Sequence, residues 1–174
     1  YQLERKPAEH GFRESLEDTV ICRKRLRDDQ GPDLIVDFMP DDETILGFSN
    51  RWYTDAVLNA DDHKLSSGEI IRVVTPAYFL GTKIEAWRGR GNNNLLSSRD
   101  VEDILNVVDG RPSLTAELTQ APLDLRKEIA IGIGELLAHP DFDYALQSAT
   151  GGNRERENML FQRLEGFTAP PDRS

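Results

Sequence analysis

The 174-residue sequence has one cysteine and three histidines, and this scarcity excludes several kinds of site. Cys22 alone cannot form an internal disulfide or a cysteine-rich zinc site, and a single cysteine fits a reducing compartment. His10, His63 and His139 do not have the spacing of zinc ligands. No apolar run approaches the roughly 20 residues that span a bilayer. We therefore expect a cytoplasmic protein without a membrane segment.

Basic residues are also scarce, with 21 Lys and Arg against 31 Asp and Glu, for a net charge of −10. A protein that coats nucleic acid needs a basic face, so the chain is a poor candidate for this class, although a local basic cleft is still possible. The length fits one domain, or one domain with an appendage. Because the chain begins at Tyr1 rather than Met, we interpret it as part of a longer protein that lacks its start.

The chain is predicted to change from strands to helices near residue 75. Residues 1–75 have the patterns of a strand-rich part and residues 76–174 those of a helical region. Thr75 is a suitable N-cap, and Pro76 suits the first helical position, where a missing N–H costs nothing. Strands followed by helices indicate an α+β fold rather than alternating βαβ units.

The strand-rich part contains an expected hairpin and two weaker strand candidates. Thr19–Arg27 alternates in polarity, whereas Leu34–Met39 is apolar and β-branched, which favours a buried strand. Turn residues separate these two segments, so we expect them to pair in an antiparallel hairpin. Ala56–Asn59 and Ile70–Val74 are the further candidates, and a polar stretch lies between them.

The helical region shows its clearest pattern after Ser97 and Ser98, either of which could cap a helix. Apolar residues then recur at helical spacing and predict one buried face; they are Val101, Ile104, Leu105 and Val108. Other helices are predicted over Pro76–Arg88, Leu123–Ala138, Asp141–Gln147 and Arg154–Leu164. Gly151-Gly152 is expected to be a linker between the last two.

Asp37 is the first candidate for chemistry, because it interrupts the apolar run Leu34–Met39. An ionised carboxylate in a buried strand is costly unless a cation pairs with it. Strand alternation points its side chain away from the face of Leu34, Val36 and Phe38. Two interpretations follow: a carboxylate that pairs with an arginine of the hairpin or faces solvent on an edge strand, or a metal ligand at the edge of a site.

Lys83 and two aspartates are the other candidates. Lys83 lies beside a predicted buried stripe, where a lysine either extends over apolar neighbours to water or holds a phosphate as a point charge. The stripe consists of Ala77, Leu80, Ile84 and Trp87. Asp100 and Asp103 share one helix face in the first turns, where the macrodipole stabilises anions. Because Asp103 is flanked by apolar residues, we expect it to reach inward.

Three segments carry these candidates in order: Leu34–Pro40 (LIVDFMP), Thr75–Arg90 (TPAYFLGTKIEAWRGR) and Ser98–Gly110 (SRDVEDILNVVDG). The series resembles the AbiEii-type nucleotidyltransferase-like family, which occurs as the toxin half of bacterial toxin–antitoxin pairs. In that family a strand carboxylate precedes a helix with a Thr-Lys pair, here Thr82-Lys83, and an Arg-Asp-x-x-Asp helix start follows, here at Arg99. The resemblance spans about residues 10–110, and the helical tail behind it is less specific.

The resemblance implies a nucleotidyltransferase-like mixed or antiparallel sheet followed by a C-terminal helical region. The implied reaction transfers a nucleotide from an NTP to an acceptor, for which RNA is one candidate. Two Mg²⁺ ions held by carboxylates would activate the attacking oxygen and neutralise the leaving pyrophosphate. Asp37 would match a metal carboxylate and Lys83 the triphosphate-contacting lysine, while Asp100 or Asp103 would match the acidic position of the closing helix. An antitoxin protein would be the partner.

The sequence departs from the family in one motif. A glycine turn followed by an Asp-x-Asp strand normally precedes these segments, and nothing before Asp37 has that form. Since one carboxylate cannot hold two metal ions, this polypeptide is expected to be inactive. The alternative is a non-catalytic module that binds a nucleotide or another protein. The aromatic residues Phe48, Trp52 and Tyr53 would then be a contact patch, unless they are packed in the core.

Overall fold

The computed structural model describes residues 23–26, 34–37, 50–89 and 94–169, together with Gly11 and Arg13. The chain divides into two compact units, Tyr1–Ser49 and Asn50–Ser174. The described residues have an α+β fold in which helix predominates, with two separate two-stranded antiparallel sheets and seven α-helices. The α+β class is thus confirmed at this level.

The first unit contains the predicted hairpin. β1 (Arg23–Leu26) pairs antiparallel with β2 (Leu34–Asp37), so that Arg23 lies opposite Asp37 and Leu26 opposite Leu34. Arg13 adds an isolated bridge to Arg25, with a backbone hydrogen bond of 2.8 Å in each direction. The antiparallel pairing expected from the alternation and the turn residues is therefore confirmed.

The expected burial of the second strand is wrong for the part that the structure describes. Leu34 is 53% exposed and Ile35 is 46% exposed. A ribbon of two strands cannot cover its own faces, and burial needs a further layer packed against it. Apolar, β-branched residues therefore predicted the strand correctly but did not predict its environment.

The second unit begins with a short helix and a second hairpin. α1 (Tyr53–Leu58) precedes β3 (Asp61–Lys64) and β4 (Ile70–Val73), which pair antiparallel. The strand expected at Ile70–Val74 is confirmed, whereas Ala56–Asn59 is not a strand because α1 covers most of it. A short apolar run does not distinguish strand from helix. The true partner of β4 is a polar segment without the apolar alternation that would have identified it.

Six longer helical segments follow, most of them as predicted. Pro76 does stand at the first position of its helix, and the Phe79 N–H donates to the Thr75 carbonyl over 2.9 Å. A short 3₁₀ helix at Leu95–Ser97 precedes the second helix of the series. The helices are α2 (Pro76–Gly89), α3 (Arg99–Gly110), α4 (Leu114–Gln120), α5 (Leu123–Leu137), α6 (Phe142–Thr150) and α7 (Arg154–Phe167). Only α4 was not predicted.

The ends of these helices follow ordinary capping chemistry. The Ser98 side chain caps α3 by accepting a hydrogen bond from the Val101 N–H over 3.4 Å. Asn153 caps α7 in the same way. Gly151 ends α6 in the left-handed conformation, with φ of 64°. The Gly151-Gly152 pair predicted as a linker is therefore the terminal turn of a helix, where glycine has no Cβ to strain the backbone.

The core of the second unit is built around α2 and α7. α2 packs against α1, α3, α4 and α5, and α7 packs against α3, α4, α5 and α6. Trp52 is buried in this core, as the packing interpretation expects, and Tyr53 is partly buried, whereas Phe48 lies outside the described residues. The residues with almost no exposure include Leu80, Ile84, Leu105, Ile133, Leu160 and Leu164. Within the described ranges, no helix is long and apolar enough to cross a membrane.

α2 and α5 approach each other closely at Gly132. A Cβ atom built on Gly132 would overlap the Ile84 side chain, which is itself 1% exposed. Two residues further along α5, a Cβ on Gly134 would meet no atom within 4 Å. Only the first of these glycines therefore sets the distance between the helices.

Candidate functional site

The structure brings Lys83 together with both predicted aspartates. The Lys83 Nζ atom of α2 lies 3.4 Å from Asp100 Oδ1 and 2.5 Å from Asp103 Oδ2, both on α3. Helical spacing explains the geometry, because residues three apart share a face and can contact one cation together. We call Lys83, Asp100 and Asp103 the lysine cluster. Three of the four residues singled out from the sequence therefore meet.

The two carboxylates differ in burial, and the sequence prediction had the wrong one inside. The Asp100 side chain is 4% exposed, whereas the Asp103 side chain is 41% exposed. Asp100 stands one turn before Ile104, which is fully buried, so the two share the inward face of α3. Ser98 caps the helix just before Asp100, so this carboxylate also lies at the positive end of the helix dipole. Asp103 instead lies near the edge of the cluster.

Lys83 does not simply extend into water. Its side chain is 25% exposed, and its Nζ atom lies 5.5 Å from the centre of the Phe79 ring, one helical turn earlier. The ammonium group therefore contacts two carboxylates and an aromatic face at once, and a ring face attracts a cation electrostatically. This arrangement holds the charge in one place while part of the side chain remains accessible.

Asp37 lies in the first unit and is ion-paired. Arg23 donates from Nε to Asp37 Oδ1 over 2.8 Å and from Nη2 to Oδ2 over 2.9 Å. Such a two-point contact is the strongest common pairing of a guanidinium with a carboxylate. It agrees with the interpretation of Asp37 as the partner of a hairpin arginine. Its role as a metal ligand stays a prediction.

The described residues do not by themselves fit a Mg²⁺ site. Across the described ranges, no group of three or more histidine, cysteine, aspartate or glutamate side chains is placed to hold a metal ion. Asp100 and Asp103 share a lysine, whose charge already opposes theirs. A hard cation such as Mg²⁺ needs several oxygen ligands in near-octahedral geometry, and the lysine cluster offers two carboxylates and an ammonium.

Sequence reasoning missed a second charged network, on the opposite side of α2. Glu128 of α5 accepts hydrogen bonds from Arg51 and Arg88, and Arg88 Nε also donates to Glu135 over 2.6 Å. Burial alone would lower the pKa of Arg88, but the hydrogen bonds to Glu135 and Glu128 outweigh it and raise the pKa. The only signal in the sequence was the seven-residue spacing of the two glutamates. The network ties the start of α1 to α2 and α5.

A groove of 660 Å³ is lined by residues of the 3₁₀ helix, α3 and α6. Arg99 and Glu102 contribute charges of both signs to its lining. Its apolar residues include Leu95, Leu96, Val101, Leu105 and Ala149. Glu102 thus borders the groove, while its neighbour Asp103 contacts Lys83.

Comparison of the chain with protein-family models, with curated proteins and with solved structures gives no significant match. The resemblance to the AbiEii-type family therefore stays a prediction. The geometry of the lysine cluster is the observation on which a functional proposal can be based.

Proposed function

We propose that the protein is nucleotidyltransferase-like, of the kind found as the toxin of a toxin–antitoxin pair, and that Lys83 contacts the triphosphate of an NTP. The observation that carries this proposal is the meeting of Lys83 with Asp100 and Asp103. These residues come from two separate motifs of the resemblance, and spacing along the chain did not require them to touch.

The chemistry of Lys83 suits a phosphate contact. An ammonium group on a flexible stem acts as a point charge with rotatable donors, which is how lysines bind phosphates. Buried Asp100 opposes the lysine charge from the protein side, and the partial exposure of Lys83 leaves a path to a ligand. Asp100 or Asp103 would supply the acidic position of the closing helix, and an RNA is one candidate acceptor.

The sequence has no Asp-x-Asp strand before Asp37, so we expect this polypeptide to bind nucleotide without transferring it. Binding without turnover also describes the alternative function, a non-catalytic nucleotide-binding module. Activity would require two further metal carboxylates.

Calorimetric titration of ATP into the protein, with and without Mg²⁺, tests the proposal. We expect the wild type to bind and Lys83→Met to lose at least about ten-fold in affinity, since hydrogen bonds to charged groups contribute roughly 1.5–3 kcal/mol. Methionine keeps the length of the stem and removes the charge. The matched control is Lys127→Met on α5, an exposed helical lysine outside the lysine cluster, which should bind as the wild type does.

Equal binding by wild type and Lys83→Met would contradict the role of Lys83, and no binding by any form would defeat the nucleotide proposal. Far-UV circular dichroism of each variant separates lost binding from lost folding. If no form binds nucleotide, a protein-interaction function remains, and the exposed aliphatic side chains of α1 and β4 favour it. These are Val57, Leu58, Ile70, Ile71 and Val73.

A further inference from the structure

We infer that Asp103 is a built-in competitor of the phosphate at Lys83, so that a nucleotide must displace this carboxylate in order to bind. The inference rests on the proposed function of Lys83 and concerns the regulation of the same site. It assigns different roles to the two aspartates, between which the family resemblance did not choose.

The difference in burial separates the roles. The Asp100 side chain is 4% exposed and sits on the inward face of α3, so it cannot leave Lys83 without movement of the helix. The Asp103 side chain is 41% exposed and can turn into solvent by rotation about its own bonds. Asp103 also makes the shorter of the two contacts, 2.5 Å against 3.4 Å. The carboxylate that is free to rotate is therefore the one that most directly covers the ammonium.

The negative charge of the two carboxylates opposes the binding of a triphosphate at Lys83. A triphosphate that approaches Lys83 also meets the carboxylates of Asp100 and Asp103. Rotation of the Asp103 side chain toward solvent removes one of the two carboxylates from contact with the Lys83 ammonium group. A partly exposed ion pair is weak enough for this exchange, with typical values of about 0.2–1 kcal/mol.

Asp103→Asn tests the inference, because asparagine preserves the shape of the side chain and removes its charge. We expect the Kd for ATP to fall by up to about five-fold, the factor that corresponds to the loss of a partly exposed ion pair of up to about 1 kcal/mol. The gain should be larger without Mg²⁺, since the uncomplexed nucleotide carries more negative charge and is repelled more strongly by a carboxylate. Added salt should reduce the gain in affinity, because it screens the repulsion between the nucleotide and the carboxylate.

Glu102→Gln is the matched control, since it removes one negative charge from the adjacent position of α3, on the side of the groove. It should change the Kd by less than the Asp103 variant and show no such dependence on Mg²⁺. An equal gain in both variants would mean that only the overall charge matters, and it would overturn the inference.

Weaker binding by Asp103→Asn would also overturn the inference, because Asp103 would then hold Lys83 in place for the phosphate. Either result would leave the proposed function standing, provided that the wild type binds ATP and Lys83→Met binds it less well. Absence of ATP binding in the wild type would instead be the failure of the proposed function itself.

Discussion

At the scale of single residues, Asp100 and Asp103 show that two carboxylates three positions apart on one helix can differ strongly in exposure. Both contact the same ammonium group, and they differ by three positions on one helix. Apolar neighbours in sequence suggested that Asp103 would face inward. Asp100 is buried instead, because it shares a helix face with Ile104 four residues later. Which aspartate is buried therefore depends on the face of α3 that packs against the core, not on the neighbouring residues along the chain.

Gly132 gives a prediction at the same scale. Gly132→Ala should destabilise the protein by about 1–3 kcal/mol, because the new methyl group would overlap the buried Ile84 and force α2 and α5 apart. Gly134→Ala on the same helix meets nothing and should stabilise by about 0.5–1 kcal/mol through helix propensity. Urea unfolding monitored by circular dichroism measures both. A neutral Gly132 variant would contradict the close approach of the helices, and a destabilised Gly134 variant would contradict the open space beside Gly134.

At the scale of elements, the junction of α3 and α4 is held by a charged hydrogen-bond network. Arg111 Nε donates to both carboxylate oxygens of Glu117, over 2.9 and 2.8 Å, and Ser113 Oγ donates to Glu117 Oε1 over 2.6 Å. The Arg111 hydrogen bond lowers the pKa of Glu117 from its ordinary 4.5, burial acts against this, and Ser113 lowers it further. The ionised form of Glu117 therefore stabilises the start of α4.

Glu117→Gln should show this contribution as a pH dependence of stability. A folded-state pKa below 4.5 means that the stabilisation is present above pH 4.5 and is lost as the pH falls through the folded-state pKa. We expect the variant to lose up to about 1 kcal/mol at pH 7, since the pair is partly exposed, and the difference from wild type to vanish in acid. Urea titrations at several pH values measure it, with Glu165→Gln of α7 as the control for loss of one charge. A difference that is constant with pH would refute the assignment.

Helices with a cap and a full apolar stripe were predictable from the sequence, and short elements were not. Ser98 and the stripe through Val108 located α3 correctly, and Pro76 located the start of α2. α4 has no strong amphipathic pattern and depends on packing against α2 and α7. β3 is polar throughout and is recognisable only through its pairing with β4. For the candidate site, the residues could be named in advance, but their contacts depended on how α2 and α3 pack.

At the scale of the whole molecule, the buried apolar cluster of the described residues runs from Trp52 to Phe167 and lies within the second unit. A unit that contains its own core is expected to fold without the rest of the chain. The first turn of α1 belongs to that core, since Trp52 and Ala56 are buried in it. The boundary at residue 50, rather than the change from strand to helix, then marks the start of the folding unit.

Two polypeptides, 50–174 and 76–174, test this boundary. The first should unfold in a single cooperative urea transition with the helical signal intact. The second lacks Trp52, which is only 5% exposed. It should therefore be less stable than the first by about 3–5 kcal/mol, as for removal of a large core side chain. Equal stability of the two, measured by circular dichroism, would show that α1 and the β3–β4 hairpin are not part of the folding unit.

The close approach of α2 and α5 affects the position of Lys83 as well as the stability of the protein. Ile84, which fills the space beside Gly132, follows Lys83 directly along the chain. A bulkier residue on α5 would shift the helix that carries the ammonium group and misalign it with Asp100, although nothing on α5 belongs to the lysine cluster. The absence of a side chain at position 132 is therefore a condition for the geometry of the lysine cluster as well as for stability.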